Sequence, residues 1–490
     1  MKKAISIGIQ GFSDLREQDC FFVDKTNFIK EWWENRDVVT LITRPRRFGK
    51  TLNMSMLECF FSNKYANRAD LFEGLSIWQE EAYRKLQGSY PVIFLSFAAV
   101  KAGNLEDAKT QIKQEIARLY RENRNLMKED IFGEDERELY YQTTVKMDDV
   151  TAQDSLRNLS EWMERYYGKK VIILLDEYDT PMQEAYVQGY WDEFTAFVRS
   201  LFNASFKTNP YLERAIMTGI TRVSKESIFS DLNNLQVITT TSDLYADCFG
   251  FTESEVFHVL DEFGMGDKKD EVKQWYDGFT FGEHKDIYNP WSITNYLDKR
   301  KTYPYWASTS SNGLVSRLIR TASADVKEKM EDLLNGREIV VSFDEQIVYN
   351  QLDHNENAIW SLLLASGYLK VKHVDYRGIT REPWYTLDIT NIETLSMFTT
   401  MFQDWFQNQD ANYGYFMKAL INGDLEAMNY YMNKVALATF SYFDVGSGNG
   451  SDPEPERFYH GFVLGLIAER AGIYEIRSNR ESGFGRYDIM

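Results

Sequence analysis

Residues 44–51 read RPRRFGKT, and they separate an apolar run at 38–42 from an amphipathic run at 52–57. This order predicts a strand, a loop and a helix, which is the context in which a Gly-Lys-Thr tripeptide holds nucleotide phosphates. Backbone N–H groups at the helix start, aided by the helix dipole, would hold a β-phosphate. Lys50 would reach the β- and γ-phosphates, and the Thr51 hydroxyl would hold Mg²⁺. The nucleotide-binding residues that we expect in this phosphate loop (residues 44–51) are Arg46, Arg47, Phe48, Gly49, Lys50 and Thr51.

The phosphate loop departs from the general pattern G-x-x-x-x-G-K-[ST], because Arg44 stands where the first glycine is usual. Pro45 favours an extended conformation at Arg44, so the start of this loop is expected to differ from that of the usual phosphate loop. Guanidinium groups match phosphate geometry, which suits three arginines beside a phosphate site. The alternative is a solvated basic loop followed by a helix with a solvated lysine.

A second motif, VIILLDE at residues 171–177, is an apolar run that ends in two carboxylates. A strand that is apolar on both faces is typical of the centre of a parallel sheet, and ligands bind at the carboxyl ends of such strands. Asp176 would hold Mg²⁺ through water, and Glu177 would polarise the attacking water as a general base. The alternative is an ordinary strand end that leads into a turn. Both motifs together, in this order, favour an ATP site with Mg²⁺.

A further strand at 214–219 is followed by Ile220, Thr221 and Arg222. A polar residue at this strand end would sense the γ-phosphate, and Arg222 would stabilise charge in the transition state. The alternative for Arg222 is a surface loop.

Strands and helices alternate through the first half of the chain, which indicates a doubly wound parallel sheet and an α/β fold. The predicted strands lie at 38–42, 91–97, 170–175 and 214–219, and the predicted helices include 104–123, 154–167 and 190–206. A P-loop NTPase core is therefore expected over residues 1–242.

Residues 243–400 are expected to form a mostly helical lid and a winged-helix-like region. Thr252 and Glu255 form a capping-box pattern at a helix start. Aromatic clusters at 275–279 and 288–291 favour packing of a small lid over contacts to a nucleotide or partner. A helix and strands from 360 to about 385 resemble a winged helix, which indicates either DNA binding or a structural module between domains.

Residues 401–490 are expected to form a third unit. The Gly/Ser-rich stretch at 446–451 predicts a loop, 455–467 a helix, 474–479 a strand, 481–486 a turn and 487–490 another strand. A chain that stops inside a strand leaves unpaired backbone groups at a sheet edge, so a truncated domain is expected.

Bulk composition narrows the function classes. The 490-residue chain is 43% hydrophobic and carries a net charge of −19, which argues against indiscriminate binding to nucleic-acid backbone but leaves a local basic groove open. No apolar run approaches the length of a membrane span, so no membrane association is expected. Three widely spaced cysteines favour buried free thiols in a reducing compartment, and we expect a cytoplasmic protein. The oligomeric state is not specified by any pattern.

Together these motifs resemble a bacterial and archaeal family of AAA-ATPase-like proteins with a C-terminal PD-(D/E)XK nuclease-like domain. The segments that carry the resemblance are 23–26, 44–51, 174–180, 218–222, 227–235, 275–279, 288–291, 456–460 and 478–488. Arg44 in place of the first glycine is usual in that family. The resemblance implies a P-loop ATPase core, the lid and winged-helix-like region, and a partial α/β nuclease-like domain.

The nuclease superfamily uses an Asp and a downstream Glu-x-Lys to hold Mg²⁺ and activate water. Asp488 matches the catalytic Asp, and Glu456 matches a helix carboxylate that supports the metal, with a solvated helix face as the alternative. No Glu-x-Lys follows Asp488, so nuclease activity is expected to be absent from this chain. The resemblance also implies DNA as a partner of the C-terminal region.

Three functions are therefore weighed. The first is an ATPase that gates a DNA nuclease, with Lys50, Thr51, Asp176 and Glu177 carrying the nucleotide chemistry. The second is a non-hydrolysing nucleotide-dependent switch or scaffold that binds a protein partner. The third is a P-loop kinase for a small molecule, which the carboxylate pair at a strand end argues against.

Overall fold

This computed structural model describes residues 3–128, 131–222, 228–229, 232–307, 313–345, 349, 352, 355–407, 418–431, 478–482 and 485–489. Two of the predictions, the loop at 446–451 and the helix at 455–467, lie outside these residues. Among the described residues, no helix combines the length and apolar character that crossing a bilayer requires.

A five-stranded parallel sheet forms the core of the N-terminal half, as the alternation of strands and helices predicts. Its strands are β1 Val39–Thr43, β2 Val92–Ser96, β3 Val171–Asp176, β4 Leu212–Gly219 and β5 Leu235–Ile238, in the order β2-β3-β4-β1-β5. Alternate residues of β3 enter two different hydrophobic clusters, with Ile173 in one and Ile172 in the other. Helices therefore cover both faces of the sheet, as in a doubly wound fold.

The helices of this half are α1 Phe12–Glu17, α2 Asn27–Asn35, α3 Lys50–Phe61, α4 Glu81–Leu86, α5 Leu105–Glu122, α6 Glu134–Gln142, α7 Asp149–Tyr167, α8 Thr180–Gln188 and α9 Trp191–Phe202. The predictions of α5, α7 and α9 agree with these bounds within a few residues. Strand β5 was not predicted. It is four residues long and only its last residue, Ile238, is buried, so it lacks the continuous apolar run that marks β1 and β3.

A small lid unit (residues 251–299) follows. It comprises β6 Phe251–Thr252, α10 Glu253–Glu262, α11 Lys269–Tyr276, β7 Phe279–Phe281, β8 His284–Tyr288 and α12 Pro290–Lys299. The capping box of Thr252 and Glu255 begins α10, as predicted. The expectation of a mostly helical lid is incomplete, because β6, β8 and β7 form an antiparallel sheet. Tyr276 and Tyr288 are fully buried, which confirms that the aromatic clusters pack the lid.

A winged-helix-like unit (residues 313–389) comes next. It contains α13 Gly313–Thr321, α14 Ala324–Leu334, β9 Ile339–Val341, α15 Ala358–Ala365, β10 Leu369–Arg377 and β11 Glu382–Ile389, with the antiparallel order β10-β11-β9. The helix and hairpin are thus present as expected. Every residue of α15 from Ala358 to Leu364 is buried, so this helix offers no face to a DNA groove. The burial of α15 favours the interpretation of this unit as a structural module between domains over one in which α15 binds DNA.

The last described elements are α16 Ile392–Gln407 and a hairpin of β12 Ser478–Ser482 and β13 Gly485–Ile489. Helix α16 runs across residue 400, where a third unit was expected to begin. The expected turn over 481–486 is too long, because Glu481 pairs with Arg486 and Ser482 with Gly485. A hairpin connection needs only about two residues, so strand pairing extends into the glycine-containing stretch.

Candidate functional site

The phosphate loop connects β1, which ends at Thr43, to α3, which begins at Lys50. Two of its residues have positive φ, Arg47 at 66° and Gly49 at 80°. A Cβ built on Gly49 would meet no atom within 4 Å, so glycine is needed there for its backbone conformation and not for space. The first N–H groups of α3 lack helical partners, which makes this helix start an anion site.

Lys50 is folded back over the loop that precedes it. Its Nζ donates to the carbonyl oxygens of Arg44 at 2.9 Å and Pro45 at 2.8 Å. Burial lowers the pKa of the Lys50 ammonium, and the charges of Glu177, Asp179 and Asp176 oppose that shift. An anion at the helix start would offer this buried cation a charged partner in place of two neutral carbonyls.

Thr51 and Asp176 are joined directly, and a third residue completes the group. Asp176 accepts a hydrogen bond from Thr51 Oγ1 at Oδ2 (2.8 Å) and one from Thr218 Oγ1 at Oδ1 (2.5 Å). Thr218 reaches Asp176 because β4, which carries Thr218, lies beside β3 and between β3 and β1 in the sheet. Burial raises the pKa of the Asp176 carboxyl, and the two hydroxyl donors counteract it. The structure therefore brings together the two residues expected to hold Mg²⁺.

Glu177 lies at the carboxyl end of β3 in a strained conformation, with φ at 52°. Its Oε2 accepts a hydrogen bond from Thr180 Oγ1 at 3.0 Å. A non-glycine residue in the left-handed region costs free energy and persists only when its surroundings enforce it. The side chain lines the same cleft as Lys50 and Thr51.

This cleft has a volume of about 530 Å³. Its walls come from the N-terminal segment, the phosphate loop with the start of α3, helix α8 and the lid, namely 6–10, 21–23, 25, 46–53, 180, 183–184, 250–251, 290–291 and 294 together with Leu15, Ala98, Lys101, Glu177, Ile220 and Cys248. At the lid side the Arg47 guanidinium lies over the Trp291 ring, 4.3 Å from its centroid. Arg46 and Arg47 thus face the cleft, as expected.

Arg44 does not face the cleft, which corrects the picture of three arginines beside a phosphate. The side chain is fully buried, and its guanidinium donates to the carbonyl oxygens of Thr43, Thr239, Leu244 and Tyr245. The group also lies 4.5 Å from the ring centroid of a lid phenylalanine, Phe281. Burial lowers the pKa of the guanidinium, yet arginine keeps its charge in proteins, held here by the carbonyl dipoles. Arg44 thus fastens the base of the loop.

Phe48 contributes to the cleft in a different way from that expected. Its ring is 1% exposed and packs edge-on against Phe279 at 4.8 Å and Phe281 at 5.4 Å between centroids. The side chain is therefore a hydrophobic anchor of the loop in the lid. Contact with a phosphate is left to the Phe48 backbone.

Two further candidates lie elsewhere. Arg222 lines a separate small cavity with Thr239 and Glu345, whereas Ile220, two residues earlier, lines the cleft. The chain turns between them because the Thr221 N–H and hydroxyl both donate to buried Asp179. The position of Arg222 thus does not support a phosphate contact. Asp488 lies on β13 of the C-terminal hairpin.

Sequence reasoning missed a buried polar group behind the cleft. Asp179 is 4% exposed and accepts three hydrogen bonds, from the N–H groups of Ile220 and Thr221 and from Thr221 Oγ1. Burial raises the pKa of its carboxyl, and these donors oppose the shift. Tyr349 approaches from the winged-helix-like unit and bonds to Thr221. Asp179 is the third carboxylate within residues 176–179, so the sequence could have indicated it as a candidate. No sequence pattern identifies Tyr349.

Two comparisons with known proteins bear on this site. Residues 6–229 match the family described as "Predicted AAA-ATPase", and this range contains the phosphate loop, Asp176 and Glu177. The chain is also similar to the "Uncharacterized protein in vnfD 5'region" of Azotobacter chroococcum mcd 1. The two are 27% identical over 398 residues, which cover 80% of this chain and 68% of that protein.

Proposed function

We propose that this protein binds ATP with Mg²⁺ in the cleft and hydrolyses it. The observation that carries the proposal is the convergence of five side chains from three elements. Lys50 and Thr51 come from the start of α3, and Asp176 and Glu177 come from the end of β3, beside Thr218 of β4. The AAA-ATPase-like family match over 6–229 supports nucleotide chemistry at this position.

The shape of the cleft supports a nucleotide as its occupant. A volume of about 530 Å³ falls within the range of about 300–1,000 Å³ that is usual for small-molecule sites. The phosphates would lie over the start of α3, where backbone N–H groups, Lys50 and the exposed Arg47 supply positive charge. The base and sugar would extend between the N-terminal segment 6–10 and the lid residues Pro290 and Trp291, which also line the cleft.

The donor set supports Mg²⁺ as the metal. Thr51 and Asp176 offer a hydroxyl and a carboxylate oxygen within hydrogen-bonding distance of each other, and Mg²⁺ prefers oxygen ligands together with water and substrate phosphates. When bound, the metal would neutralise charge that develops on the phosphates. Thr218 would keep Asp176 oriented, since it donates to the other carboxylate oxygen.

Glu177 is the proposed general base. Its carboxylate lines the cleft and accepts a hydrogen bond from Thr180 at one oxygen, and a carboxylate has further acceptor capacity for a water molecule. A carboxylate that accepts a proton from water as the oxygen attacks would favour hydrolysis over transfer to another substrate.

Phosphate release from MgATP, measured together with ATP binding, tests the proposal. Lys50→Ala should lose both binding and turnover, because it removes the buried cation of the phosphate loop. Lys85→Ala, at an exposed lysine paired with Glu81, should match the native chain. ATP binding without turnover in the native chain would contradict hydrolysis and identify a nucleotide-dependent switch instead.

The proposal extends to the C-terminal region, where the ATPase would gate a metal-dependent DNA nuclease. Its support is limited to the resemblance and to the position of Asp488 on a strand of the hairpin β12–β13. A DNA cleavage assay with Mg²⁺ and ATP tests this extension separately from ATP turnover. The nuclease pattern is incomplete in this chain, so no cleavage is expected, and cleavage that Asp488→Ala abolishes would contradict that expectation.

A further inference from the structure

A segment of the winged-helix-like unit reaches the carboxyl edge of the parallel sheet. Just after β9, Glu345 accepts hydrogen bonds from Thr239 Oγ1 at 2.9 Å and Thr241 Oγ1 at 2.7 Å, both directly beyond β5. The same carboxylate accepts a bond from the Tyr385 hydroxyl of β11 at 2.9 Å. Glu345 therefore ties its own unit to the edge of the sheet where the proposed site lies.

Tyr349 enters the same edge further in. It is 1% exposed, and its ring packs against Tyr186 and Trp191 at centroid distances of 5.4 and 5.5 Å. Its hydroxyl lies 3.0 Å from Thr221 Oγ1. Because the Thr221 hydroxyl donates its proton to Asp179 Oδ2 at 2.8 Å, Tyr349 is the donor of the bond between the two hydroxyls.

Asp179 in turn belongs to the turn that carries Glu177. Besides the Thr221 hydroxyl, its Oδ2 accepts the N–H groups of Ile220 at 2.9 Å and Thr221 at 2.7 Å. The neighbouring Tyr178 N–H donates to Thr218 O at 3.0 Å, and the Tyr178 hydroxyl donates to Thr221 O at 2.7 Å. The two residues that follow Glu177 are thus clamped to the end of β4.

Close packing restricts the movement of Tyr178 and Asp179, whose bonds to the end of β4 form the clamp. A Cβ at Gly219 would lie 2.6 Å from Asp179 Oδ1 and 2.7 Å from Tyr178 Cε1, so the turn rests directly on the backbone of β4. Glu177 holds a φ of 52° at the start of this turn. A strained residue of this kind keeps its conformation only while its surroundings enforce it, and here the clamp supplies that enforcement.

We propose that Tyr349 is a positioning residue, which holds Glu177 in its strained, cleft-facing conformation through Thr221 and Asp179. The inference rests on the proposed function, since Glu177 is the proposed base. Neither Tyr349, Thr221 nor Asp179 lines the cleft. The winged-helix-like unit thereby controls the catalytic turn without touching the nucleotide, and loss of the Tyr349 hydroxyl slows the chemical step while leaving ATP affinity intact.

Tyr349→Phe tests this inference, because it removes the hydroxyl and keeps the ring on Tyr186 and Trp191. We expect kcat for ATP hydrolysis to fall about 3- to 10-fold, the factor that one buried hydrogen bond contributes. KM and the ATP dissociation constant should stay at native values. Tyr120→Phe is the matched control, because its buried hydroxyl donates at 2.8 Å to Ser155 O between α5 and α7, and it should retain native kcat.

Variants of Thr221 separate positioning from general loosening. Thr221→Val removes the hydroxyl that joins Tyr349 to Asp179 and should lower kcat as Tyr349→Phe does, while Thr221→Ser should restore it. Since both changes break one chain of contacts, the double variant should be no slower than Thr221→Val alone.

Turnover in the native chain with native kcat in Tyr349→Phe would overturn the inference alone. A parallel loss of ATP affinity in that variant would overturn it as well, because it would point to a general distortion of the cleft. Absence of turnover in the native chain would overturn the proposed function and this inference with it.

Discussion

Arg44 stabilises the phosphate loop from inside the protein. Its guanidinium joins carbonyls at the end of β1 to carbonyls at 239 and 244–245, beyond β5, and it contacts Phe281 of the lid. A glycine at this position would satisfy the general phosphate-loop pattern but would remove the guanidinium donor from those carbonyls, of which Thr239 O would keep the bond from the Ser242 N–H. The arginine is therefore a structural alternative to the glycine.

Arg44→Gly should destabilise the protein by about 2–4 kcal/mol, because buried carbonyls that lose their donors keep the cost of desolvation. Arg47→Ala, at an exposed residue of the same loop, should change the free energy of unfolding by less than about 1 kcal/mol. Urea unfolding of the two variants measures the difference. Equal stability of Arg44→Gly and Arg47→Ala would show that the buried contacts contribute nothing.

Helix α16, which follows the winged-helix-like unit, is held to the lid and to the segment after the lid by a buried carboxylate at its start. Glu393 accepts hydrogen bonds from Ser292 Oγ at 2.8 Å and from the Trp306 N–H at 2.6 Å. Burial raises the pKa of this carboxyl to about 7, and the bonds from Ser292, Trp306 and Ala307 oppose the shift. The junction therefore disfavours ionisation of Glu393 relative to the unfolded chain.

The stability of the protein should fall as Glu393 ionises. The folded state binds the proton more tightly than the unfolded state, whose pKa lies near 4.5. The contribution of the group is thus complete below the unfolded pKa and is lost as pH rises through about 7. Glu393→Gln mimics the protonated acid, so its advantage over the native chain should be small at pH 5 and should reach about 2–3 kcal/mol at pH 8.

Chemical unfolding at the two pH values measures this change, with Glu426→Gln at an exposed position as the control for loss of a carboxylate. An advantage of Glu393→Gln that does not grow with pH would contradict the assignment of a neutral Glu393.

The sequence predicts an element when the pattern that indicates it lies within the element itself. Strands β1 and β3 are continuous apolar runs, and the capping box of α10 is local, so all of these follow from the sequence. Strand β5 and the lid sheet are short and partly exposed, and they form because other elements offer them partners. In the site, Lys50, Thr51, Asp176 and Glu177 follow from motifs, whereas the Arg44 and Phe48 side chains turn inward for tertiary reasons that no local pattern carries.

At the scale of the whole molecule, the proposed ATP site is lined by the N-terminal half and the lid, and the winged-helix-like unit reaches it indirectly. Phe48 and Arg47 contact the lid through Phe279, Phe281 and Trp291, and Tyr349 connects the winged-helix-like unit to the turn of Glu177. A nucleotide bound in this cleft would therefore be linked directly to the lid and, through the turn of Glu177, to the winged-helix-like unit.

The most direct test of the account is phosphate release from MgATP by the native chain and by Glu177→Gln, with ATP affinity measured on the same samples. Gln keeps the size of the side chain and its bond to Thr180 but is no base. If Glu177 is the general base of an ATPase, the native chain turns over ATP. In Glu177→Gln, kcat then falls by about 100-fold or more at unchanged ATP affinity. Native turnover that persists in Glu177→Gln would contradict the assignment of Glu177 as the base, and a native chain that neither binds nor hydrolyses ATP would contradict the whole account.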